Sequence, residues 1–352
     1  MEERVLKIEG SIENLKNKKS KIYFFVQDTK GNANASVRYI YQMGLTLKEN
    51  GYNPIMLHEK PDYFGVSGWL GEKYSNLPHQ SVEGQNLEIS PEDFIIIPEI
   101  FGYIMSQLTN LPCTKVVLSQ AYDHIFETLQ PGQVWSQFGF TKCITTSENQ
   151  KKYISDIMRN FSIDILEPVV SPVFTTSKFP SKPIIAVSSR EQREAINLIK
   201  TFYQKYPQFR WVTFRDMRGI SEEEFANTLK DCMLSVWIDK TSSFGTFPLE
   251  SMKSNVPVLG VLPKMVPSWL NEENGIWIQE EIKLVDFVAE FIQNWLEDNI
   301  SEKLYQNGLD TSSEFSDFQK FEKNVIELFS DYFSKRTQGF QEEINKLQLI
   351  EQ

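Results

Sequence analysis

Along this chain, short uninterrupted apolar runs alternate with longer stretches that are apolar on one face only. "IYFFV" at 22–26 comes first, followed by "PIMLH" (54–58), "FIIIP" (94–98), "KVVLS" (115–119) and "KCITT" (142–146). A continuous apolar run marks a strand buried on both faces, as in a parallel sheet. After the first run, Val37, Ile40, Tyr41, Gly44, Leu45 and Leu47 fall near the helical period, and "ENGY" ends that helix with a glycine stop. "SENQKKYISDIMRNF" reads as another helix. Strands alternating with helices predict a mostly parallel sheet covered on both faces.

The pattern stops at "EPVVSPVFTTSKFPSKP" (167–183), a proline-rich stretch that reads as an interdomain linker. It then restarts with "IIAVS", a helix over 191–205, "RWVTF", a helix capped by Ser221, "MLSVWI", "VPVLG" and "GIWI". The chain from 281 onward reads as helical. The expected class is α/β, with two Rossmann-like, doubly wound domains. We place the first at 1–172, the second at 180–335 and a helical tail at 336–352. Two such domains on a hinge predict a ligand cleft at the carboxyl ends of their strands.

Composition narrows the partners. The 352 residues are 41% hydrophobic with a net charge of −11, so a nucleic acid or an anionic membrane would meet overall repulsion. "KNKKSK" at 16–21, the one basic cluster, reads as a solvated lead-in to the first strand. The charged N-terminus has no apolar core, so no secretory signal is expected, and no run is long enough to predict a transmembrane helix. Three scattered cysteines, Cys113, Cys143 and Cys232, argue against a disulfide framework or a zinc site and point to a reducing cytoplasm.

Candidate chemistry gathers at strand ends. The loop "DTKGNANAS" (28–36) offers amides for an anion or for polar hydroxyls, with Gly31 and Asn32 at its tip. It lacks the glycine spacing of a dinucleotide fingerprint. Arg190 and Arg193 follow the first strand of the second domain, where a cation pair suits a diphosphate. In "SSFGTFPLESMKSNVPVLG" (242–260), Gly245 permits a close backbone approach and Pro248 fits the first position of a helix. Glu250, expected in the first helical turn, can accept hydrogen bonds from a ribose diol.

This segment resembles the donor site of the family 4 retaining glycosyltransferases of the GT-B fold, which reads approximately E-G-F-G-x-x-x-L-E-A-M-A-x-G-x-P-V-I and continues into N-G. Phe244, Gly245, Leu249, Glu250, Met252, Pro257, Val258, Asn274 and Gly275 match in place. "AVSSREQREAINLIKTF" is similar to the stretch carrying that family's diphosphate-binding cations, and the first loop and helix are similar to its glycine-loop helix. The resemblance implies a donor site of Ser242, Ser243, Phe244, Gly245, Thr246, Phe247, Leu249 and Glu250 with Gly31 and Asn32. Arg190, Arg193 and Glu250 would be the catalytic group. It further implies a nucleotide diphospho-sugar as donor substrate, no cofactor, no metal and retention at the anomeric carbon. One departure stands out: Ser242 occupies the position, eight before Glu250, where the family usually has a glutamate that contacts the donor sugar. Asp239 is a nearby carboxylate that could take its place.

For the acceptor, a carbohydrate or other hydroxyl compound, the candidates lie in the first domain. "LSQAYDHIF" resembles the glutamine loop of rhamnosyltransferase-like members and supplies Gln120, Tyr122, Asp123 and His124; Glu99 stands at another strand end. The aromatics Tyr63, Phe64, Trp69 and Tyr74 form either an acceptor platform or a satellite core. The reading is a glycosyltransferase of glycan or polysaccharide biosynthesis. The rival is a nucleotide-binding scaffold on the same fold, its catalysis lost at Ser242.

Overall fold

The apolar runs pair as parallel strands and sort into two sheets, each belonging to its own compact unit. The computed structural model describes residues 2–84, 87–176 and 182–350. One unit comprises the chain up to Leu166 together with the chain from Gln319 onward; the other runs from Glu167 to Phe318.

In the first unit, α1 (Glu2–Lys16) leads into β1 (Lys21–Phe25), α2 (Ala35–Glu49) and β2 (Asn53–His58). The short α3 (Ser67–Leu70), β3 (His79–Ser81), β4 (Phe94–Pro98), the short α4 (Gly102–Met105) and β5 (Thr114–Ser119) follow. β6 (Lys142–Thr145), α5 (Glu148–Ile157) and β7 (Ser162–Ile165) complete its first pass. Among the described residues these strands form a seven-stranded parallel sheet in the order β3-β2-β1-β4-β5-β6-β7. Its central strands carry almost nothing but buried side chains, Tyr23 and Phe24 of β1 being fully inaccessible. Asn34 caps α2, its side chain accepting the Val37 amide at 3.0 Å.

The second unit contains β8 (Lys182–Ser189), α6 (Gln192–Lys205), β9 (Thr213–Asp216), α7 (Glu222–Leu229), β10 (Cys232–Ile238) and α8 (Thr246–Lys253). It continues through β11 (Val258–Val261), β12 (Ile276–Ile278), α9 (Leu284–Leu296) and α10 (Glu302–Glu314). Its strands form a parallel sheet in the order β12-β11-β10-β8-β9. Ser221 caps α7 as expected, accepting the Glu224 amide at 3.2 Å. The expected strand "RWVTF" begins later than its apolar letters imply. Arg210 and Trp211 lie in the turn after Pro207–Phe209, and pairing starts with Thr213.

The order of each sheet reverses once: between β1 and β4 in the first, and between β8 and β10 in the second. Neighbouring connections diverge there, and open α/β sheets as a class bind ligands beside such a reversal, at the carboxyl ends of the strands. The candidate residues therefore have to be judged by their distance from these two points.

Domain limits need correction. The expected second domain ran to 335, yet α11 (Phe318–Ile350) packs on the first sheet. Phe321, Val325, Phe329, Tyr332 and Phe333 are buried along one of its faces at helical spacing. Phe329 meets Phe24 at 6.0 Å between ring centroids, Phe333 stacks on Phe94 at 4.8 Å, and the Tyr332 hydroxyl donates to Asp164 at 2.8 Å. Conversely, residues 167–176, expected with the first domain and the linker, belong to the second unit, where Val170 and Phe174 enter the core. Residues 177–181 of the expected linker and the last two of the expected tail lie outside the described residues.

An aromatic buried in this way should be costly to remove. Phe329→Ala is expected to destabilise the first unit by about 3–5 kcal/mol, the usual cost of such a cavity. Leu349→Ala, at a residue that is 69% exposed, should cost less than about 0.5 kcal/mol. Urea denaturation followed by circular dichroism checks both, and equal midpoints would contradict the packing of α11.

Candidate functional site

In the second unit, β8 and β10 are neighbours in register, Ser189 opposite Ile238. The segments that leave them, Arg190 onward and Asp239 onward, therefore start side by side at the strand-order reversal. The Arg190 amide extends the ladder to the Ile238 carbonyl at 3.3 Å. Its guanidinium donates to the Thr241 hydroxyl, so the arginine is tied to the loop that carries the expected donor residues. Arg193, the second residue of α6, is exposed.

The β10–α8 loop is shaped by Asp239. One carboxylate oxygen accepts the amides of Thr241 and Ser242, both at 3.0 Å, and the Thr241 hydroxyl at 2.8 Å. This aspartate-initiated turn brings Ser242 to φ 22°, on the positive side that few side chains adopt. Asp239 was a candidate replacement for the family's sugar-binding glutamate; this oxygen is instead committed to its own loop. Lys240 turns away to ion pairs with Glu194 and Glu281, each at 2.7 Å, and their carboxylates raise its pKa well above the ordinary value. Lys240 is one of the residues that sequence reasoning missed, because its partners are distant in the chain.

Gly245 takes φ 75°, the left-handed region open to glycine, and becomes the N-cap of α8. The helix thus starts at Thr246, two residues earlier than expected. Pro248 is its third residue rather than its first, and still costs no hydrogen bond, since no amide in the first turn has a helical acceptor. Those of Gly245, Thr246 and Phe247 are left pointing out of the helix N-terminus, while Leu249 falls within the helical hydrogen-bonding pattern. Glu250 moves from the expected first turn into the second, and its side chain is nearly inaccessible, at 2%. Ser242, Ser243 and Phe244 are also buried, and Thr246 is half-buried.

The first unit brings a different set together. Glu99 follows β4 and is 2% exposed; one carboxylate oxygen accepts the amides of Gln120 at 3.0 Å and Ala121 at 2.7 Å. Expected as an acceptor contact, it instead anchors the backbone of the loop bearing the other candidates. On that loop Gln120 and Tyr122 are half-buried, the latter edge-on to Tyr153, while Asp123 is exposed. His124 lies 3.8 Å from Asp123 and 4.0 Å from Glu127, too far for strong pairing. Gly31 and Asn32, expected to touch the donor, form an exposed turn after β1, closed by the Asn32 amide on the Thr29 carbonyl at 3.0 Å.

The aromatic insertion divides between its two readings: Trp69 and Tyr74 are core, while Phe64 is 69% exposed. Tyr63 stacks on His58 at 4.1 Å, and His58 shares a 2.8 Å hydrogen bond with His79. Among the described residues no three His, Cys, Asp or Glu side chains are grouped to hold a metal ion, and no helix is long and apolar enough to cross a membrane.

No family model matches this chain. An alpha-1,6-glucosyltransferase from Actinobacillus pleuropneumoniae serotype 7 (strain AP76) is 23% identical over 269 residues, 71% of this chain and 78% of that protein. Among solved structures, sucrose-phosphate synthase from Thermosynechococcus elongatus superposes with a TM-score of 0.63 at 13% identity, covering 90% of this chain and all of that one. Anabaena HepE, in complex with UDP-glucose, gives a TM-score of 0.61 at 12% identity over 88% of this chain and 99% of that one. The fold is GT-B.

Burial has a measurable consequence at Glu99. It raises the carboxyl from its ordinary value near 4.5 to about 7; the amides of Ala121, Glu99 and Gln120 oppose the shift without cancelling it, and Asp123 adds to it. Between these values the folded protein keeps a proton that the unfolded chain releases. Stability therefore falls as pH rises from about 4.5 to about 7 and stays low above that. Glu99→Gln should remove this contribution, on the order of 3 kcal/mol between pH 4 and 8. Denaturant melts at both pH values test it; an unchanged pH difference in the variant contradicts the assignment.

Proposed function

We propose that this chain is a glycosyltransferase that moves a sugar from a uridine diphospho-sugar to an acceptor hydroxyl. The observation that carries the reading is the pairing of Arg190 with the β10–α8 loop, the loop that leads into the N-terminus of α8. Helix N-termini favour anions, and a guanidinium can grip two phosphate oxygens at once. The name of the Actinobacillus relative and the ligand in the Anabaena structure both support a glucosyl donor of this type.

In the proposed reaction the anomeric carbon exchanges its bond to the β-phosphate oxygen for one to the acceptor oxygen. The acceptor's proton ends on the released diphosphate. Charge grows on the departing phosphate, so a cation and fixed amides that meet it there lower the barrier directly. Arg190, Arg193 and the first-turn amides of α8 are assigned this role, with no metal required. Glu250 is assigned to the ribose. Retention and a place in glycan synthesis rest on the likeness of the 242–260 segment to retaining enzymes. The acceptor is assigned to the Gln120–His124 loop of the first unit.

A panel of nucleotides with EDTA present tests the donor. At a hundredfold excess over Kd, UDP should stabilise the protein by about 2.7 kcal/mol, visible as a raised Tm. Glu250→Ala should abolish that shift. Arg193→Ala should slow UDP release from UDP-glucose, with water as the acceptor, by roughly a hundredfold. Undiminished turnover in this variant would remove Arg193 from the mechanism, while UDP binding without any turnover would favour the scaffold reading.

A further inference from the structure

Three tryptophans distant in sequence meet behind the β10–α8 loop. The rings of Trp237, Trp269 and Trp277 lie 6.5, 6.1 and 6.0 Å apart, taken as 237–269, 237–277 and 269–277. A buried indole N–H needs an acceptor. Trp277 donates to the Asn271 carbonyl at 2.7 Å and to the Asn274 side-chain oxygen at 3.2 Å. Trp269 donates to the Phe244 carbonyl at 2.6 Å. Asn274, only 1% exposed, holds Trp269 in turn: its amide nitrogen donates to the Trp269 carbonyl at 2.7 Å and to the Thr311 hydroxyl at 3.2 Å.

The bond to Phe244 matters because of what lies across that peptide. The C=O of Phe244 and the N–H of Gly245 share one planar trans unit and point in opposite directions. Anchoring the carbonyl inward on Trp269 fixes the Gly245 amide outward, at the N-cap of α8. The same rings limit how the turn can move: a Cβ built on Gly245 would lie 3.1 Å from Trp237 and 3.2 Å from Trp269.

We propose that Trp269 is a positioning residue for the diphosphate site. Through the Phe244 carbonyl it aims the Gly245 amide and the first turn of α8, and Asn274 keeps it in place. This inference rests on the proposed uridine diphospho-sugar donor. A ring that only filled the core would affect every ligand of the unit alike, whereas an aiming residue acts on the phosphate end of the nucleotide.

The test is Trp269→Phe, which keeps an aromatic ring and removes the N–H. Calorimetric titration of wild type and variant with UDP and with uridine gives four affinities. UDP affinity is expected to fall at least about tenfold, equivalent to about 1.4 kcal/mol, with uridine affinity unchanged. Equal losses for both ligands, or no loss for UDP, overturn the inference and leave the donor reading standing. Failure of wild type to bind UDP overturns the donor reading, and this inference with it. Should the variant not fold, NMR of the wild type decides. The Gly245 amide resonance should shift with UDP and not with uridine, while the Trp269 indole proton stays protected from exchange; an unmoved Gly245 amide overturns the proposal.

Discussion

Parallel pairing buried on both faces is the constraint on which the rest of this molecule depends. A strand such as β10, with all seven residues buried, has no face on which to present chemistry. Polar groups can be displayed only at strand ends, and the carboxyl ends are where connections diverge when the strand order reverses. In the second unit that reversal puts the continuation of β8 beside the continuation of β10, so Arg190 and the 239–250 segment meet although some fifty residues separate them. Ser189 and Ile238 sit in register, and a one-residue slip there would point Arg190 to the wrong side.

Loops on such an edge need internal anchors, and both units use buried or half-buried polar side chains for this. Asp239 gathers three hydrogen bonds into one oxygen, Glu99 holds two amides, and Asn274 joins the Trp269 carbonyl to the Thr311 hydroxyl. A buried polar group left without partners is expensive, so each of these side chains pins its backbone strongly. They differ in charge. Asn274 is neutral, whereas Glu99 bears the cost of burial as a carboxyl group that titrates near neutrality.

Much of this was legible in the sequence, and the losses have identifiable causes. Continuous apolar runs located most strands of both sheets to within a residue or two, because burial on both faces leaves an unmistakable signal; β9, an edge strand, starts three residues later than "RWVTF" implied. β3 and β7 were missed: they are short edge strands, "HQS" and "SIDI", with few apolar letters. α1 was missed although Ile8, Ile12 and Leu15 recur at helical spacing and are buried; its many charges masked the stripe. The site followed the same rule. Arg190 and the phenylalanine–glycine turn stood out through local residue types, but the start of α8 was misplaced by favouring proline over glycine as the marker. The tryptophan cluster had no signal at all, since 237, 269 and 277 share no spacing and meet only in the folded unit.

Ser242 can now be understood from its surroundings. Its amide is held by Asp239, its φ is positive, and its side chain is 5% exposed. A small hydroxyl can be buried there at little cost, whereas a charged carboxylate would need room, hydrogen-bond donors or a cation to offset the cost of its burial. A glutamate at this position would therefore require a different turn, one in which the side chain reaches outward to a sugar. With serine the turn folds inward on Asp239 instead, and the Thr241 hydroxyl is presented to Arg190. The replacement therefore belongs to a loop organised around Asp239 and Arg190. In the proposed donor site, the grip on the sugar would come from neutral hydrogen bonds and backbone amides, with Arg190 and Arg193 assigned to the phosphates and Glu250 to the ribose.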